Sequence, residues 1–194
     1  MAQAARFWDR HAEGYAKRPV ADEESYQKKL SVTRDYLRPD MEVMEFGCGT
    51  GSTAIVHAPF VKHIRATDVS PEMIGIAKRK AVAANVQNST FEVVTVEDLD
   101  VADASLDAVM AHSILHLLED KEAVIADAYR MLKPGGVFVT STVCLTGGYK
   151  WLKLVLPIGN FFGLLPRVWF FSKQELETSF TDAGFEIDYS WQPA

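Results

Sequence analysis

The sequence predicts an α/β fold with a doubly wound, mostly parallel sheet and helices on both faces. Three observations support this prediction. Short β-branched runs alternate with segments of helical period, each run has the length of a buried strand, and a turn signal lies close to each run. Strands that alternate with helices need right-handed crossovers, which produce a parallel sheet. The 194 residues suffice for one compact domain.

Five runs are predicted to form the strands. In chain order they are EVMEFG (42–47), HIRATD (63–68), TFEVVTV (90–96), LDAVMA (106–111) and GGVFVTST (135–142). Helices are predicted between them, the first from Ser52 to Ala58, and the next with Ser70 as N-cap and Pro71 at its first position. In the helix before the fifth strand, the spacing turns these side chains inward: Ala123, Ile125 or Ala126, Tyr129 and Leu132.

Composition excludes several functions. The formal net charge of −6 argues against nucleic acid or an anionic membrane as partner, since both favour clustered Lys and Arg. The two cysteines, Cys48 and Cys144, have no metal-ligand spacing, so neither a disulfide framework nor a metal site is predicted. The charged first twenty residues are not a signal peptide. A cytoplasmic location is therefore expected.

Residues 45–52 read EFGCGTGS and follow the first predicted strand. Gly47, Gly49 and Gly51 let the backbone turn sharply and let a ligand touch the main chain without an intervening Cβ. In a doubly wound sheet, ligands bind beyond the carboxyl ends of the strands, where the strand order reverses. The loop is therefore predicted to bind a ligand.

Spacing separates the three ligand classes that use such a loop. A nucleoside triphosphate site needs GxxxxGK[ST], and no Lys-Ser or Lys-Thr pair follows these glycines. A dinucleotide site needs GxGxxG, and Ser52 occupies the third position here. S-adenosylmethionine has no phosphate. Its carboxylate suits backbone N–H groups and its ammonium suits Glu45, which would repel a pyrophosphate.

Four motifs, in this order and spacing, resemble those of class I S-adenosylmethionine-dependent methyltransferases. They are VMEFGCGTGSTA, ATDVSPEMIGIAK, LDAVMAHSILHLLED and MLKPGGVF. The sequence is most similar to the small-molecule branch that includes the quinone-biosynthesis enzymes. The resemblance covers about residues 40–142 and is weaker in FWDRHAEGYAK and FSKQELETSFTDAGFEI.

The resemblance implies S-adenosyl-L-methionine as cofactor and S-adenosyl-L-homocysteine as product. Asp68, at the end of the second strand, matches the acid that accepts hydrogen bonds from the ribose hydroxyls. The Val96 N–H is expected to meet the adenine, with Glu97 or Thr95 at the amino group, although relatives often have an acid where this chain has Thr95. The expected cofactor-binding residues are Tyr15, Glu45, Gly47, Gly49, Asp68, Val69, Met73, Thr95, Val96, Glu97 and His112.

Two histidines are the catalytic candidates. His112 ends the fourth strand close to the expected methyl group, and His116 lies one helical turn further on. A histidine titrates near neutral pH, so either could act as a base or orient a nucleophile, while His116 also fits a structural role. The predicted mechanism is in-line methyl transfer, in which proximity and orientation supply roughly 7 to 11 kcal/mol. No metal is implied.

The chain is expected to form one domain, residues 1–194, in four parts. Residues 1–40 form a helical cap over the cofactor, 41–142 the cofactor-binding core, 143–171 an apolar insert, and 172–194 the final helix and strand. The uncharged core of the insert, LVLPIGNFFGLLP, is too short and broken to span a bilayer. A lid over an apolar substrate is expected first, a homodimer contact second, and a membrane-touching surface third.

The last helix is predicted with Ser172 as cap and Gly184 at its close, followed by a strand, FEIDYSW, at 185–191. Related enzymes usually add an antiparallel strand, for which no residues remain. Either the sixth strand pairs with the fifth, or another chain fills the gap, or the natural protein continues past Ala194, which is the expected case.

Two other functions stay open beside methyl transfer to a small apolar or aromatic molecule. A nicotinamide-dependent oxidoreductase is favoured by GxGxx(S) and the distal acid. A catalytically silent S-adenosylmethionine-binding module would use the same motifs. Titration with the two cofactors would distinguish the oxidoreductase from a methyltransferase. Only a measurement of turnover would distinguish the silent binding module from a methyltransferase.

Overall fold

A five-stranded parallel sheet in the order β3-β2-β1-β4-β5 organises the computed structural model, which describes residues 2–144 and 165–193. Its strands are β1 Glu42–Phe46, β2 His63–Asp68, β3 Ser89–Val93, β4 Leu106–His112 and β5 Leu132–Ser141. The strand order reverses between β1 and β4, which makes the sheet doubly wound and places a ligand crevice at that point. The predicted fold class and the five strands are confirmed.

Six α-helices surround the sheet in the described residues. They are α1 Ala2–Lys17, α2 Glu23–Asp35, α3 Ser52–His57, α4 Pro71–Ala83, α5 Lys121–Met131 and α6 Lys173–Asp182. The predicted caps are confirmed: Ser70 Oγ accepts a hydrogen bond from Met73 N at 3.1 Å, and Ser172 forms a capping box with Glu175. Each cap satisfies backbone N–H groups that the first helical turn leaves without partners.

Alternating strand residues face two separate apolar clusters. Val43 and Met110 face α3 and α4, whereas Phe46 and Val109 face α5 and α6. All four side chains are at most 1% exposed. The sheet therefore has apolar cores on both faces, as its near-continuous apolar strands require.

The inward face of α5 differs from the prediction. Ile125 and Leu132 are buried as expected, but Val124, Ala128 and Met131 complete the buried stripe. Tyr129 is 49% exposed, and its ring packs edge-on against Phe185 at 5.1 Å. A spacing of 3.6 residues allows two neighbouring phases of the helix, and packing against the sheet selects one of them.

The two N-terminal helices occupy different places. Trp8, Ala12 and Ala16 of α1 pack with Met73 and Ile76 of α4. Asp9 Oδ1 accepts a hydrogen bond from Ser70 Oγ at 2.6 Å and one from Glu72 N at 3.2 Å. The α2 helix packs beside α3, with Leu30 and Thr33 buried.

The strand predicted at 185–191 is wrong, because no residue of this stretch belongs to the sheet. Phe185 packs against Phe138 of β5, but the stretch then leaves the sheet. Its alternating apolar side chains are exposed: Ile187 by 42%, Tyr189 by 48% and Trp191 by 37%. Side chains of neighbouring helices hold it instead, since Lys28 lies over the Trp191 ring and Ser190 donates to Glu177.

Most of the predicted apolar insert, residues 145–164, lies outside the described residues. The expected lid and homodimer contact therefore stay predictions. Within residues 2–144 and 165–193, none of the helices combines the length and the apolar composition that crossing a bilayer requires.

Candidate active site

A cavity of about 340 Å³ opens at the carboxyl ends of β1, β2 and β4, at the reversal of strand order. This volume lies in the range of small-molecule sites. A wider groove of about 770 Å³ separates α5 from α6 but does not reach the glycine loop. Nine of the predicted residues line the smaller cavity: Tyr15, Gly47, Gly49, Asp68, Val69, Met73, Val96, Glu97 and His112.

The glycine loop forms the floor of this cavity. Gly47, Gly49 and Gly51 all have left-handed backbones, with φ of 58°, 54° and 72°. A Cβ at Gly47 would lie 2.2 Å from Ile114 Cδ1, whereas a Cβ at Gly49 would meet nothing nearer than Tyr15 Cε1 at 3.9 Å. Gly47 is therefore needed for packing, and Gly49 leaves main chain open to a ligand.

Asp68 ties the loop to the end of β2. Its Oδ2 accepts from Gly49 N at 2.9 Å, and its Oδ1 accepts from Ser70 N at 2.9 Å. Burial raises the pKa of the Asp68 carboxyl, while these backbone hydrogen bonds act in the opposite direction. A carboxylate has about four lone-pair sites, so both oxygens can accept a further hydrogen bond from a ligand diol.

The apolar end of the cavity lies beyond β3. Val69, Met73 and Val96 give it apolar walls, and the exposed Glu97 lies at its rim. Thr95 does not line the cavity. Its Oγ1 donates to Asp98 Oδ2 at 2.7 Å and accepts from Asp98 N at 3.2 Å, so it caps the short 3-10 turn at Val96–Asp98.

Glu45 lies behind the loop and not in the cavity. It is 2% exposed, and alternation along β1 turns it toward the same face as Val43, against α3. Burial raises the pKa of Glu45 to about 8, with an opposing contribution from Lys29 on α2. Direct contact with a ligand ammonium, expected from its place in the sequence, is not available to this side chain in the structure.

His112 reaches the cavity from the end of β4. It is 8% exposed, its Nδ1 lies 3.2 Å from Ser141 Oγ, and its buried Nε2 has no hydrogen-bond partner in the described residues. Burial lowers the pKa of His112 well below its ordinary value, so the ring is neutral at pH 7. Ser113, the next residue, has φ 56°, a strained backbone of the kind found at functional sites.

His116 lies outside the cavity. Its Nδ1 is 3.1 Å from Thr142 Oγ1, and its carbonyl accepts from Trp169 N at 2.8 Å. These contacts attach the segment that begins at 165 to the end of β4. The structural role is the one that the contacts of His116 support.

Further lining residues come from the predicted helical cap and from the end of the predicted apolar insert. Gln3, Phe7 and Trp8 roof the cavity from α1, and Leu165 and Trp169 close it from the other side. Their contribution depends on how α1 packs on α4 and where the chain re-enters after 164. Ile114 and Leu117, from the motif LDAVMAHSILHLLED, also line the cavity.

The fold and the site define a doubly wound α/β protein with a small-molecule crevice at the carboxyl ends of its strands. The crevice contains a glycine loop after β1, a carboxylate with free acceptor sites at the end of β2, and apolar walls near the end of β3. A family model described as methyltransferase domain matches residues 44–140. The chain belongs to this family of S-adenosylmethionine-dependent methyltransferases.

Individual relatives agree with this assignment. A ubiquinone biosynthesis O-methyltransferase of Xanthomonas campestris is 31% identical over 168 residues, covering 82% of this chain and 68% of that enzyme. An arsenite methyltransferase of Halobacterium salinarum is 30% identical over 116 residues, covering 58% of this chain and 30% of that enzyme. The chain thus spans less than a third of one of these relatives and about two thirds of the other.

A solved structure shows the same fold. The geranyl diphosphate C-methyltransferase of Streptomyces coelicolor, in complex with S-adenosyl-L-homocysteine, aligns with a TM-score of 0.68 at 21% identity, covering 94% of this chain and 78% of that one. The comparisons give no support to a nicotinamide oxidoreductase. Among the described residues, no three His, Cys, Asp or Glu side chains are grouped to hold a metal ion.

Proposed function

We propose that this protein binds S-adenosyl-L-methionine in the cavity at the ends of β1, β2 and β4 and transfers its methyl group to a small molecule. The observation that carries the proposal is the pairing of Gly49 with Asp68. An open main chain lies 2.9 Å from a carboxylate that keeps acceptor sites for the ribose hydroxyls. The relatives named for ubiquinone biosynthesis and for arsenite support a small acceptor.

Each part of the cavity has a proposed role. Asp68 binds the ribose, and Val69, Met73 and Val96 enclose the adenine, with Glu97 at the rim near its amino group. Gly47, Gly49 and Tyr15 face the methionine portion. Glu45 and Thr95 have no contact with the ligand in this proposal. Glu45 stabilises β1, and Thr95 stabilises the turn after β3.

The cofactor supplies an already electrophilic methyl group on a sulfonium. The protein has to hold the acceptor in line with that methyl and to keep water out, a role that suits the roof formed by Phe7 and Trp8. His112 adds proton removal where the accepting atom carries a proton, which is worth about 10²- to 10⁴-fold. Its hydrogen bond with Ser141 orients the ring.

Calorimetry with S-adenosylhomocysteine and, separately, with NADH tests the binding site. We expect the first to bind and the second not to bind. Asp68→Asn should weaken S-adenosylhomocysteine about tenfold or more, because charge-assisted hydrogen bonds to the ribose are lost. The matched control is Asp107→Asn, since Asp107 also accepts from a backbone N–H, that of Glu42 at 2.8 Å, but at the opposite end of β1. Equal weakening in both variants would contradict the site.

Transfer of a labelled methyl group into a metabolite extract tests the reaction and separates the enzyme from a silent binding module. His112→Gln should lower kcat at least about tenfold while the affinity for S-adenosylhomocysteine stays near that of the wild type. A loss of cofactor affinity with unchanged kcat would make His112 a cofactor ligand instead.

A further inference from the structure

The cofactor cavity and the groove between α5 and α6 share part of their lining. Leu118, Glu119 and Trp169 border the cavity of about 340 Å³ and also the groove of about 770 Å³. No other residue in the described part of the chain lines both spaces. These three residues therefore form a partition between the cavity and the groove. Glu119 is exposed, so the side chains of Leu118 and Trp169 carry most of the separation.

The main chain of the partition is fixed to the segment that follows β4. Trp169 N donates to His116 O at 2.8 Å, and Leu118 N donates to Leu115 O at 3.4 Å. Leu115 is completely buried. The Trp169 side chain, in contrast, is 39% exposed and belongs to neither of the apolar clusters on the two faces of the sheet. Truncation of this indole would therefore open the partition without leaving a hole in the core.

The partition lies on the β4 side of the cavity. The proposed ribose and adenine contacts come from Asp68, Val69 and Val96, which lie at the ends of β2 and β3. Leu118 follows β4, and β4 lies on the other side of β1 from β2 and β3. A cofactor held by those contacts leaves the β4 side of the cavity, which ends at the partition, for the acceptor.

We propose that Trp169 sets the size of the acceptor, and that the partition restricts it to a compact molecule without a long chain. An extended substituent on the β4 side would have to pass through the space that the indole fills. Trp169 is then a specificity-determining residue and takes no part in the transfer itself. This inference rests on the proposed function, because it treats the β4 side of the cavity as the acceptor side.

Removal of the indole would join the two spaces. From Trp169 the groove continues to Phe171, which is 5% exposed, and to Ala126 on α5. An alkyl chain that entered the groove would bury its methylene groups against these apolar side chains. Each fully buried methylene strengthens binding about fourfold, so even partial burial of a chain of several methylenes gives a measurable gain.

The test uses the full chain with saturating S-adenosylhomocysteine and two fluorescent probes that share one ring system. They are 6-acetyl-2-dimethylaminonaphthalene and its 6-octanoyl homologue, which differ only in the length of the acyl chain. We expect the wild type to bind the acetyl probe and to bind the octanoyl probe no more tightly. Trp169→Ala should bind the octanoyl probe about tenfold or more tightly than the wild type does, and the acetyl probe within about threefold of the wild type. Trp169→Phe, which keeps a smaller ring, should show a smaller gain of about threefold.

Two further variants localise the effect. Trp191→Ala is the matched control, because Trp191 is 37% exposed and lines neither space, and it should bind both probes as the wild type does. Ala126→Trp, added to Trp169→Ala, places an indole in the groove at an exposed position of α5 and should abolish the gain.

Several results would overturn the proposal. They are tighter binding of the octanoyl than of the acetyl probe by the wild type, equal octanoyl affinity in the wild type and both Trp169 variants, and no binding of the acetyl probe. The same gain in Trp191→Ala, or a gain that persists with Ala126→Trp, would also overturn it. Failure of the wild type to bind S-adenosylhomocysteine would instead overturn the proposed function.

Discussion

The three glycines of the loop after β1 share a left-handed backbone but differ in their surroundings. A Cβ at Gly51 would lie 2.7 Å from Ala77 Cβ and 2.7 Å from Phe91 Cε1, and both of these residues are buried. The nearest atom to a Cβ at Gly49 would be Tyr15 Cε1, at 3.9 Å. A methyl group at residue 51 thus adds overpacking to the cost of the backbone, and one at residue 49 adds only the backbone cost.

We predict that Gly49→Ala lowers the free energy of unfolding by about 1–2 kcal/mol and Gly51→Ala by about 2–5 kcal/mol. For cofactor affinity the order should reverse: Gly49→Ala should weaken binding more than Gly51→Ala, because Gly49 lines the cavity and Gly51 does not. Urea denaturation and calorimetry with S-adenosylhomocysteine measure the two quantities. Equal destabilisation by the two substitutions would show that the packing around Gly51 is looser than the structure indicates.

Glu45 makes the stability of the protein depend on pH. Its pKa is raised from 4.5 to about 8, so between these values the unfolded chain releases a proton that the native chain keeps. The stabilising effect of the protonated carboxyl is full below 4.5 and is lost as the pH rises through 8. His57 acts with the opposite sign at lower pH, because its pKa is lowered from 6.5 to about 4.

We predict that Glu45→Gln removes a decline of up to about 1.4 kcal/mol per pH unit in the free energy of unfolding. The difference between wild type and variant, measured by urea denaturation from pH 6.5 to 8, isolates this contribution from that of His57. Glu42→Gln is the control, since it changes a partly exposed carboxylate of the same strand. The same pH dependence in Glu45→Gln as in the wild type would contradict the buried, protonated carboxyl.

Among the helices, α1 connects the roof of the cavity to the start of α4. Asp9 accepts from Ser70 Oγ at 2.6 Å and from Glu72 N at 3.2 Å, and Ser70 N in turn donates to Asp68. A carboxylate at a helix N-terminus is also favoured by the helix dipole. The contact that holds the roof is therefore next to the acid that we assign to the ribose.

We predict that Asp9→Ala weakens S-adenosylhomocysteine about three- to tenfold, mainly through faster dissociation, because α1 covers the bound ligand less of the time. Glu13→Ala is the comparison. It removes a surface ion pair of the same helix, with Arg79 at 3.2 Å, and such pairs contribute little. The dissociation rate of S-adenosylhomocysteine is measured by stopped flow. Equal dissociation rates in the two variants would show that Asp9 does not hold the roof in place.

The elements differ in how far the sequence predicts them. The strands and the glycine loop depend on local patterns, so their positions could be predicted, and Asp68 followed from the end of β2. The burial of Glu45 could also have been predicted, because side chains alternate along a strand and Glu45 therefore shares a face with Val43 and not with Phe46. The last stretch shows the limit of local pattern: 185–191 alternates as a strand does, but pairing depends on the rest of the chain.

At the scale of the whole molecule, the order β3-β2-β1-β4-β5 sets both stability and function. The central strands, β1 and β4, are paired on both sides and buried between the two apolar clusters, and their carboxyl ends carry the glycine loop and His112. The roof comes from α1 and from residues 165–169, which contact the sheet less. We therefore expect the floor of the cavity to open less often than its roof.

This arrangement predicts the pattern of hydrogen exchange. Without ligand, amides of β1 and β4 should exchange slowest, edge strands β3 and β5 faster, and α1 faster still, because opening α1 leaves the sheet intact. Saturating S-adenosylhomocysteine should slow exchange in α1, in the loop at 47–51 and around Asp68. Helix α6 lines the other groove and serves as the internal control, with no change expected. Mass spectrometry of exchanged peptides gives the measurement. Protection that is uniform along the chain, or absent from α1, would show that the ligand does not bind beneath that helix.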